Sequence, residues 1–453
     1  MKTLRLKNFK GFADTGKLEI KPITVLIGPN SSGKSSLIQP LLMLKQTVDS
    51  RDVTSPLVVN GSYVKLSTFE SFVHNHELNK EMEIDLSFEA TFPDPRVAAK
   101  KGEREVVECE LRSSFIYNRS RKAIELNSAV TSYGDASIRT ERVKLKRGVK
   151  YSATTNLPNS DESHGEPLIS PRVFPRKFHG YRLTFDERRR IQRKKHSWDA
   201  YRLALSMQNA VEDFIDDVNY IGPLRDTPKA LYVSGGELRK DVGMKGEYAT
   251  DVLWSQSQTG RRKNTLIHRV NYWIKRFGLG YEVELKPMGR HSGFFQVLIT
   301  NPQTRVRAPI SDVGFGVSQV LPLIVEGFYS SPGSTFLIEQ PEIHLHPKVQ
   351  ADLGDLLIEF TKQGKTVIVE THSEHLLSRL TTRVVEDNGF TERHLSVLYF
   401  SVSEGGSNIE KIRVNNLGQF ENWPQGFFEE DYAEALSRNK LIADKLKAQT
   451  QNG

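Results

Sequence analysis

The run Gly28-Pro29-Asn30-Ser31-Ser32-Gly33-Lys34-Ser35 has the residue types needed to hold a chain of phosphates. Such a ligand requires backbone N–H groups turned inward and glycines that let the main chain approach closely. It also favours the positive end of a helix dipole. Asn30, Ser32 and Ser36 complete the polar rim, Lys34 suits the β and γ phosphates, and the Ser35 hydroxyl suits Mg²⁺. The context agrees: Ile23-Thr24-Val25-Leu26-Ile27 reads as a buried strand, and Ser36-Leu37-Ile38 opens a helix. Strand, loop and helix in that order predict a nucleoside-triphosphate site, with ATP and Mg²⁺ as its ligands.

Three segments of the last third carry matching chemistry. The apolar run Thr335-Phe336-Leu337-Ile338 ends in Glu339-Gln340-Pro341-Glu342, and a carboxylate ending a buried strand, Glu339, is placed to hold Mg²⁺ or its waters. Upstream, Ser311-Asp312-Val313-Gly314-Phe315-Gly316-Val317-Ser318-Gln319 reads as a glycine-rich turn leading into a helix whose N-terminus can grip a second phosphate group. Downstream, Thr366-Val367-Ile368-Val369 ends in Glu370-Thr371-His372-Ser373, where His372 can donate a hydrogen bond to a γ-phosphate. Glu342 is either a catalytic base or a charge favoured by a helix N-terminus. His344, His346, His372 and His375 lack the carboxylate or thiolate spacing of a structural metal site, and the His-x-His-Pro segment suits a subunit contact better.

Elements positioning these residues alternate between strand and helix. Strands are expected at 335–338, 366–369 and 395–400, with an amphipathic helix at Lys348–Phe360, which implies a mostly parallel sheet with ligands at the strands' carboxyl ends. Between 59 and 150 polar and apolar residues tend to alternate, as in 83–88, 105–111 and 139–145, which predicts an antiparallel sheet with one wet face. Residues 150–180, rich in Ser, Pro, Asn and Gly, read as a loop, and a helical region is expected over 185–217. A further helix over 266–277 and strands at 281–285 and 294–299 follow.

Composition bounds the rest. With 38% hydrophobic and 26% charged residues over 453 positions, the chain reads as globular, with room for more than one domain. No apolar run is long enough for a membrane span, and Met1-Lys2-Thr3-Leu4-Arg5 starts directly on an alternating strand, so no membrane contact and a cytoplasmic location are expected. One cysteine, Cys109, excludes an intrachain disulfide framework. The net charge of +8 gathers in the runs 188–195 and 261–263, which are candidate contacts for DNA or RNA or solvated faces.

Taken in order, the loop, the glycine-rich turn, the acidic strand end and the strand-end histidine resemble the head of ABC-type ATPases of the SMC/RecF/OLD kind. GPNSSGKSS, YIGPLR (Tyr220–Arg225), DVGFGVSQVLP, FLIEQPEIHLHP and VIVETHSEHLL look more closely like the RecF-like ATPases of bacterial phage-defence operons, the broad group of the Septu and PARIS ATPase subunits. The resemblance implies an α/β fold: an ABC-type head with a mostly parallel sheet, an antiparallel β lobe and an inserted helical region. The expected division is 1–60 (first head segment with the phosphate loop), 61–150 (β lobe), 151–280 (loop and helical insertion), 281–415 (second head segment) and 416–453 (tail). The tail motif Phe420–Phe428 shares the resemblance, and a helix over 429–446 is expected to pack on the head.

By that resemblance heads pair as a homodimer or higher oligomer. Lys34, Ser35, Glu339 and His372 act in one subunit; Gly314, Gly316 and Ser318 of the other complete the site, with Ser318 favoured over Ser311 as signature serine. Related heads place a glutamate after the strand-end carboxylate as general base, whereas this chain has Gln340, which cannot take a proton. Loss of a positioned base typically costs roughly 10²–10⁴ in rate, so slow hydrolysis is expected unless Glu342 substitutes. The glutamine that senses the γ-phosphate in such heads is not assigned to a position here; Gln39 and Gln46 are poor candidates, since they lie in the first helix. No nuclease signature is present, so an effector is expected to be a partner, a nuclease or toxin from the same operon. The alternative is a RecF-like repair ATPase that clamps DNA ends or gaps.

Overall fold

The computed structural model describes residues 1–52, 55–92, 105–144, 149–155, 195–258, 265–279, 282–289, 293–301 and 303–424. Its strands are β1 (Thr3–Phe9), β2 (Phe12–Asp14), β3 (Leu18–Glu19), β4 (Ile23–Ile27), β5 (Met82–Phe92), β6 (Glu105–Asn118), β7 (Ala123–Tyr133), β8 (Ala136–Lys144) and β9 (Val149–Thr155). They continue as β10 (Val218–Ile221), β11 (Tyr232–Val233), β12 (Glu282–Pro287), β13 (Phe294–Thr300), β14 (Arg307–Pro309), β15 (Thr335–Glu339), β16 (Thr366–Glu370), β17 (Leu395–Ser403) and β18 (Gly406–Ile412). The longer helices are α1 (Lys34–Asp49), α2 (Lys195–Asp216), α3 (Ala249–Gln258), α4 (Thr265–Arg276), α5 (Phe315–Tyr329), α6 (Pro347–Thr361) and α7 (Glu374–Glu386).

The alternating segments form an antiparallel sheet in the order β2-β1-β5-β6-β7-β8-β9, with β3 on β1. Leu4 and Leu6 face the core opposite Leu86 and Ile84. The intervening Arg5 and Lys7 lie opposite Asp85 and Glu83 and bond to them at 3.3 and 2.8 Å. Period-two alternation thus produces one apolar and one charged face. β1, although early in the chain, belongs to this sheet rather than to the parallel one.

The second sheet runs β10-β15-β16-β4-β17-β18, parallel except for the closing hairpin of β17 and β18. Every residue of β4 and β15 is buried, which is why both read as continuous apolar runs rather than alternating ones. α1 and α2 fill the space between the two sheets: Leu37, Leu41, Met207 and Val211 share one core with Leu86 and Phe88, whose ring stacks on Phe214 at 4.3 Å. α3 to α7 cover the opposite face in a second core containing Val320, Ile324, Leu353, Leu357 and Leu380. A small antiparallel sheet, β11-β13-β12 with β14, packs on that layer.

Several details differ from the sequence reading. Residues 149–155 are strand β9, not loop, because they continue the pairing of β8. β10 lies inside the stretch expected as an insertion, yet it forms the edge of the parallel sheet next to β15. α1 begins at Lys34, two residues before the expected opening at Ser36. The rest of the expected loop, the basic runs at 188–194 and 261–263 and the helix at 429–446 lie outside the described residues.

Candidate nucleotide site

The phosphate loop leaves the carboxyl end of β4 and enters α1. Gly28 has φ 142° and Gly33 φ 107°, conformations open to glycine. Gly28 also passes so close to β17 that an added Cβ would meet the Phe400 carbonyl oxygen at 2.3 Å. Gly33 caps α1 without any side-chain hydrogen bond, so the helix's first N–H groups face the loop. Asn30 and Ser31 are exposed at the crest, and Ser36 is partly buried in the first turn of α1. Lys34 is 4% exposed, and its Nζ donates to the carbonyls of Gly28 at 2.9 Å and Pro29 at 2.7 Å. Burial lowers its pKa, against the pull of Glu370 and Glu342. The Ser32 hydroxyl is buried with no partner among the described residues.

Parallel pairing sets two carboxylates side by side. Glu339 ends β15, Glu370 ends β16, and the two are register partners. Ser35 Oγ donates to Glu370 Oε2 at 2.8 Å, and the Tyr220 hydroxyl, from β10, donates to Glu339 Oε1 at 3.0 Å. Burial, with the nearby Glu370 charge, pushes Glu339 up to about 7. Burial also raises Glu370, while Ser35 and Lys34 pull it back. A hydroxyl and two carboxylates are the hard oxygen donors that Mg²⁺ takes, alongside phosphates and water. Among the described residues no group of three or more His, Cys, Asp or Glu could hold a metal alone. Ser35, Glu339 and Glu370 would offer such oxygens to a Mg²⁺ shared with a phosphate. The ion would neutralise the paired carboxylates and polarise the phosphate.

Glu342 and His372 are joined directly: the His372 backbone N–H donates to Glu342 Oε1 at 2.6 Å. Glu342 is 9% exposed and its Oε2 has no partner among the described residues. It stands in the turn ahead of α6, whose first turn holds no acidic residue, so the helix-dipole reading of this glutamate does not hold. Burial, then Lys34, lowers the pKa of His372, which favours a neutral ring with one N–H to donate. Gln340, in the left-handed region at φ 46°, donates its N–H to the Glu370 carbonyl at 2.8 Å. That bond ties β15 to β16 at the site.

The glycine-rich turn differs in detail. Gly314 caps α5 and Phe315 is its first residue, so Ser318 does not begin the helix. Its hydroxyl is buried and donates to the Phe315 carbonyl at 2.7 Å. The preference for Ser318 over Ser311 thus meets a hydroxyl already used within its own helix. Gly314 is exposed, Gly316 partly buried, and Phe315 stands 67% exposed, its ring 6.4 Å from that of His344. Ser311 Oγ donates to Asp312 Oδ1 at 2.8 Å. His346 accepts from the Lys348 N–H at 3.3 Å and caps α6.

Residues 23–378 match the family described as "AAA domain, putative AbiEii toxin, Type IV TA system". The chain belongs to this family. Its P-loop ATPase domain thus spans the phosphate loop, both carboxylate strands and His372. No curated protein matches the chain in sequence. Among solved structures, an SMC head bound to the C-terminal winged-helix domain of ScpA is similar at 12% identity and TM-score 0.44, covering 91% of this chain and 97% of that one. The SMC head domain from Thermotoga maritima gives 13%, 0.38, 91% and 99% for the same quantities. An SMC head with an extended coiled coil from Pyrococcus furiosus, bound to the C-terminal domain of ScpA, gives 11%, 0.39, 97% and 99%.

Three residues at this AAA-type site carried no role in the sequence reading. Glu370 had the same signal as Glu339, an acid closing an apolar strand. Tyr220 and Arg225, the latter donating from Nη2 to the Glu339 carbonyl at 3.5 Å, reach the site only through the pairing of β10 with β15.

Proposed function

We propose that this chain binds ATP with Mg²⁺ and hydrolyses it slowly, as an ABC-type head of the SMC/RecF kind. Two heads close on shared nucleotides, the loop of one facing the Gly314–Ser318 turn of the other, and closure is the signal passed on. The observation that carries this reading is the convergence of Lys34, Ser35, Glu339, Glu370, Glu342 and His372 at the carboxyl ends of β4, β15 and β16. Gln340 at the position of the usual base supports slow turnover, because an amide accepts no proton.

The receiver of the signal is a partner effector, a nuclease or toxin, in a cytoplasmic anti-phage complex. The family's description names a putative toxin of a type IV TA system, in keeping with a toxic output under control. The experiment is co-purification with the neighbouring gene product, with effector activity measured with and without ATP. Co-elution and nucleotide-dependent activity support the reading. Failure to co-elute, together with ATP turnover stimulated by DNA and steeply salt-sensitive DNA binding, would favour a repair clamp instead.

A further inference from the structure

A groove of about 580 Å³ opens in the helical layer between α4, α6, α7 and the end of α5, and it shares no residue with the nucleotide site. Arg269, Tyr272, Arg276, Phe328, Lys362 and Arg383 line it. Arginine and tyrosine are among the residues that carry most of the binding energy at protein interfaces. The floor is fixed. The Asp355 carboxylate, 8% exposed, accepts from Arg276 Nη2 at 2.7 Å, Arg379 Nη1 at 2.7 Å and Arg383 Nε at 2.6 Å. Arg379 also bonds Asp352 and Arg383 also bonds Glu386, so this network is balanced within itself. Arg269 is left over. It is exposed, lies over the Phe328 ring at 4.8 Å and forms no salt bridge among the described residues. Lys362 is only loosely paired, 3.7 Å from Glu359, and Tyr272 is 56% exposed. The groove thus offers two cations and an aromatic wall on a rigid base.

We infer that this groove seats the chain's own segment Phe427-Phe428-Glu429-Glu430-Asp431-Tyr432, its rings against the Tyr272 and Phe328 wall and its carboxylates on Arg269 and Lys362. The segment alternates the two chemistries the groove lacks partners for: three rings and three acids within six residues. It also starts from the right place. The described chain ends at Pro424, and just before it Phe420 and Trp423, rings 4.5 Å apart, pack on the core of the helical layer. Gly418 abuts α7 so closely that an added Cβ would meet the Thr381 carbonyl oxygen at 2.7 Å. Arg383 projects from the other side of that helix into the groove. A helix is about 10 Å across, and three extended residues span about the same distance, so Phe427 is within reach from Pro424. Tethering keeps the local concentration of the segment high, so a contact of modest strength holds it. α6 and α7 start beside the carboxylate strands and form the groove with their far halves, which puts the seat on the two helices that leave the nucleotide site. The inference stands apart from the ATP reading.

The test is photo-crosslinking in the full chain, with a benzophenone maleimide on Ala433→Cys; the natural Cys109 is buried and leaves the new thiol as the one labelled. Mixing heavy and light isotope-labelled chains separates links within a chain from links between chains, and mass spectrometry maps them. Links within one chain to α4, the second half of α6 or the end of α7 are the expected result. Links to other surfaces, or only between chains, overturn the inference, the latter by assigning the groove to a second copy. Arg269→Glu is expected to lower the yield of groove links at least tenfold, on the scale of like charges brought together at an interface, roughly several kcal/mol. Adding Glu430→Lys to that variant should restore part of the yield. An unchanged yield in Arg269→Glu overturns the inference, and so does a loss that Glu430→Lys leaves unrepaired, because a folding defect would give the same.

Discussion

Glu339 and Glu370 are direct register partners on neighbouring parallel strands, so two carboxylates stand side by side above the hydroxyl of Ser35. Among the described residues neither forms a salt bridge: Glu339 is held by Tyr220 and Glu370 by Ser35, with Arg225 and Lys34 the nearby positive charges. Such an arrangement is electrostatically poor in isolation and favourable once a divalent ion arrives.

Glu370→Ala removes the acceptor of Ser35 and one of the paired charges. The Mg²⁺ concentration needed for half-maximal ATP binding is expected to rise roughly tenfold, the scale typical of a lost group around a metal. A Mg²⁺ titration followed by nucleotide fluorescence reads this directly. An unchanged midpoint would remove Glu370 from the ion's surroundings.

Gln340→Glu restores a group that can take a proton at the strand end. Steady-state phosphate release by the variant should exceed wild type by at least tenfold, within the range ascribed to a positioned base. A rate equal to or below wild type would show that slow turnover has another origin.

Gly28→Ala tests the close approach of loop and β17. With φ 142° and an oxygen 2.3 Å from the new methyl, the variant should lose about 1–3 kcal/mol or more of stability. Gly134→Ala, at φ 51° with nothing within 4 Å, should lose less. Chemical denaturation of both variants checks the order.

A pH effect is expected from Glu326, which is 1% exposed on α5 and accepts from the Val242 N–H at 2.9 Å. Burial pushes its carboxyl up to about 7 from 4.5. Between those values the folded chain keeps a proton that the unfolded chain has released, so this group's contribution to stability falls as pH rises from 4.5 to 7. Lys365, lowered by burial to about 8 from 10.5, acts in a separate window above pH 8, where stability rises with pH. Melting curves of Glu326→Gln should therefore lose part of the wild-type decline between pH 4.5 and 7. Identical pH profiles would contradict this.

The loop was legible in the sequence because its chemistry is local: an apolar strand, spaced glycines, Lys34 and Ser35 are contiguous. β4, β15 and β16 were legible because strands buried on both faces read as unbroken apolar runs. β10 was missed because it is four residues long and directly follows α2. The bond from Tyr220 to Glu339 spans 119 positions and depends wholly on strand order, which no local pattern encodes. The engaged Ser318 hydroxyl was equally hidden, since it turns on where α5 begins.

Closure of two heads on nucleotide would change the mass of the full chain in solution. Light scattering with Mg²⁺ and ATP should give a dimer or larger assembly for wild type and a smaller species without nucleotide. Lys34→Ala, deprived of the loop lysine, should show no nucleotide-dependent change. A wild-type mass indifferent to ATP, or a Lys34→Ala variant that assembles with ATP as wild type does, would contradict the account.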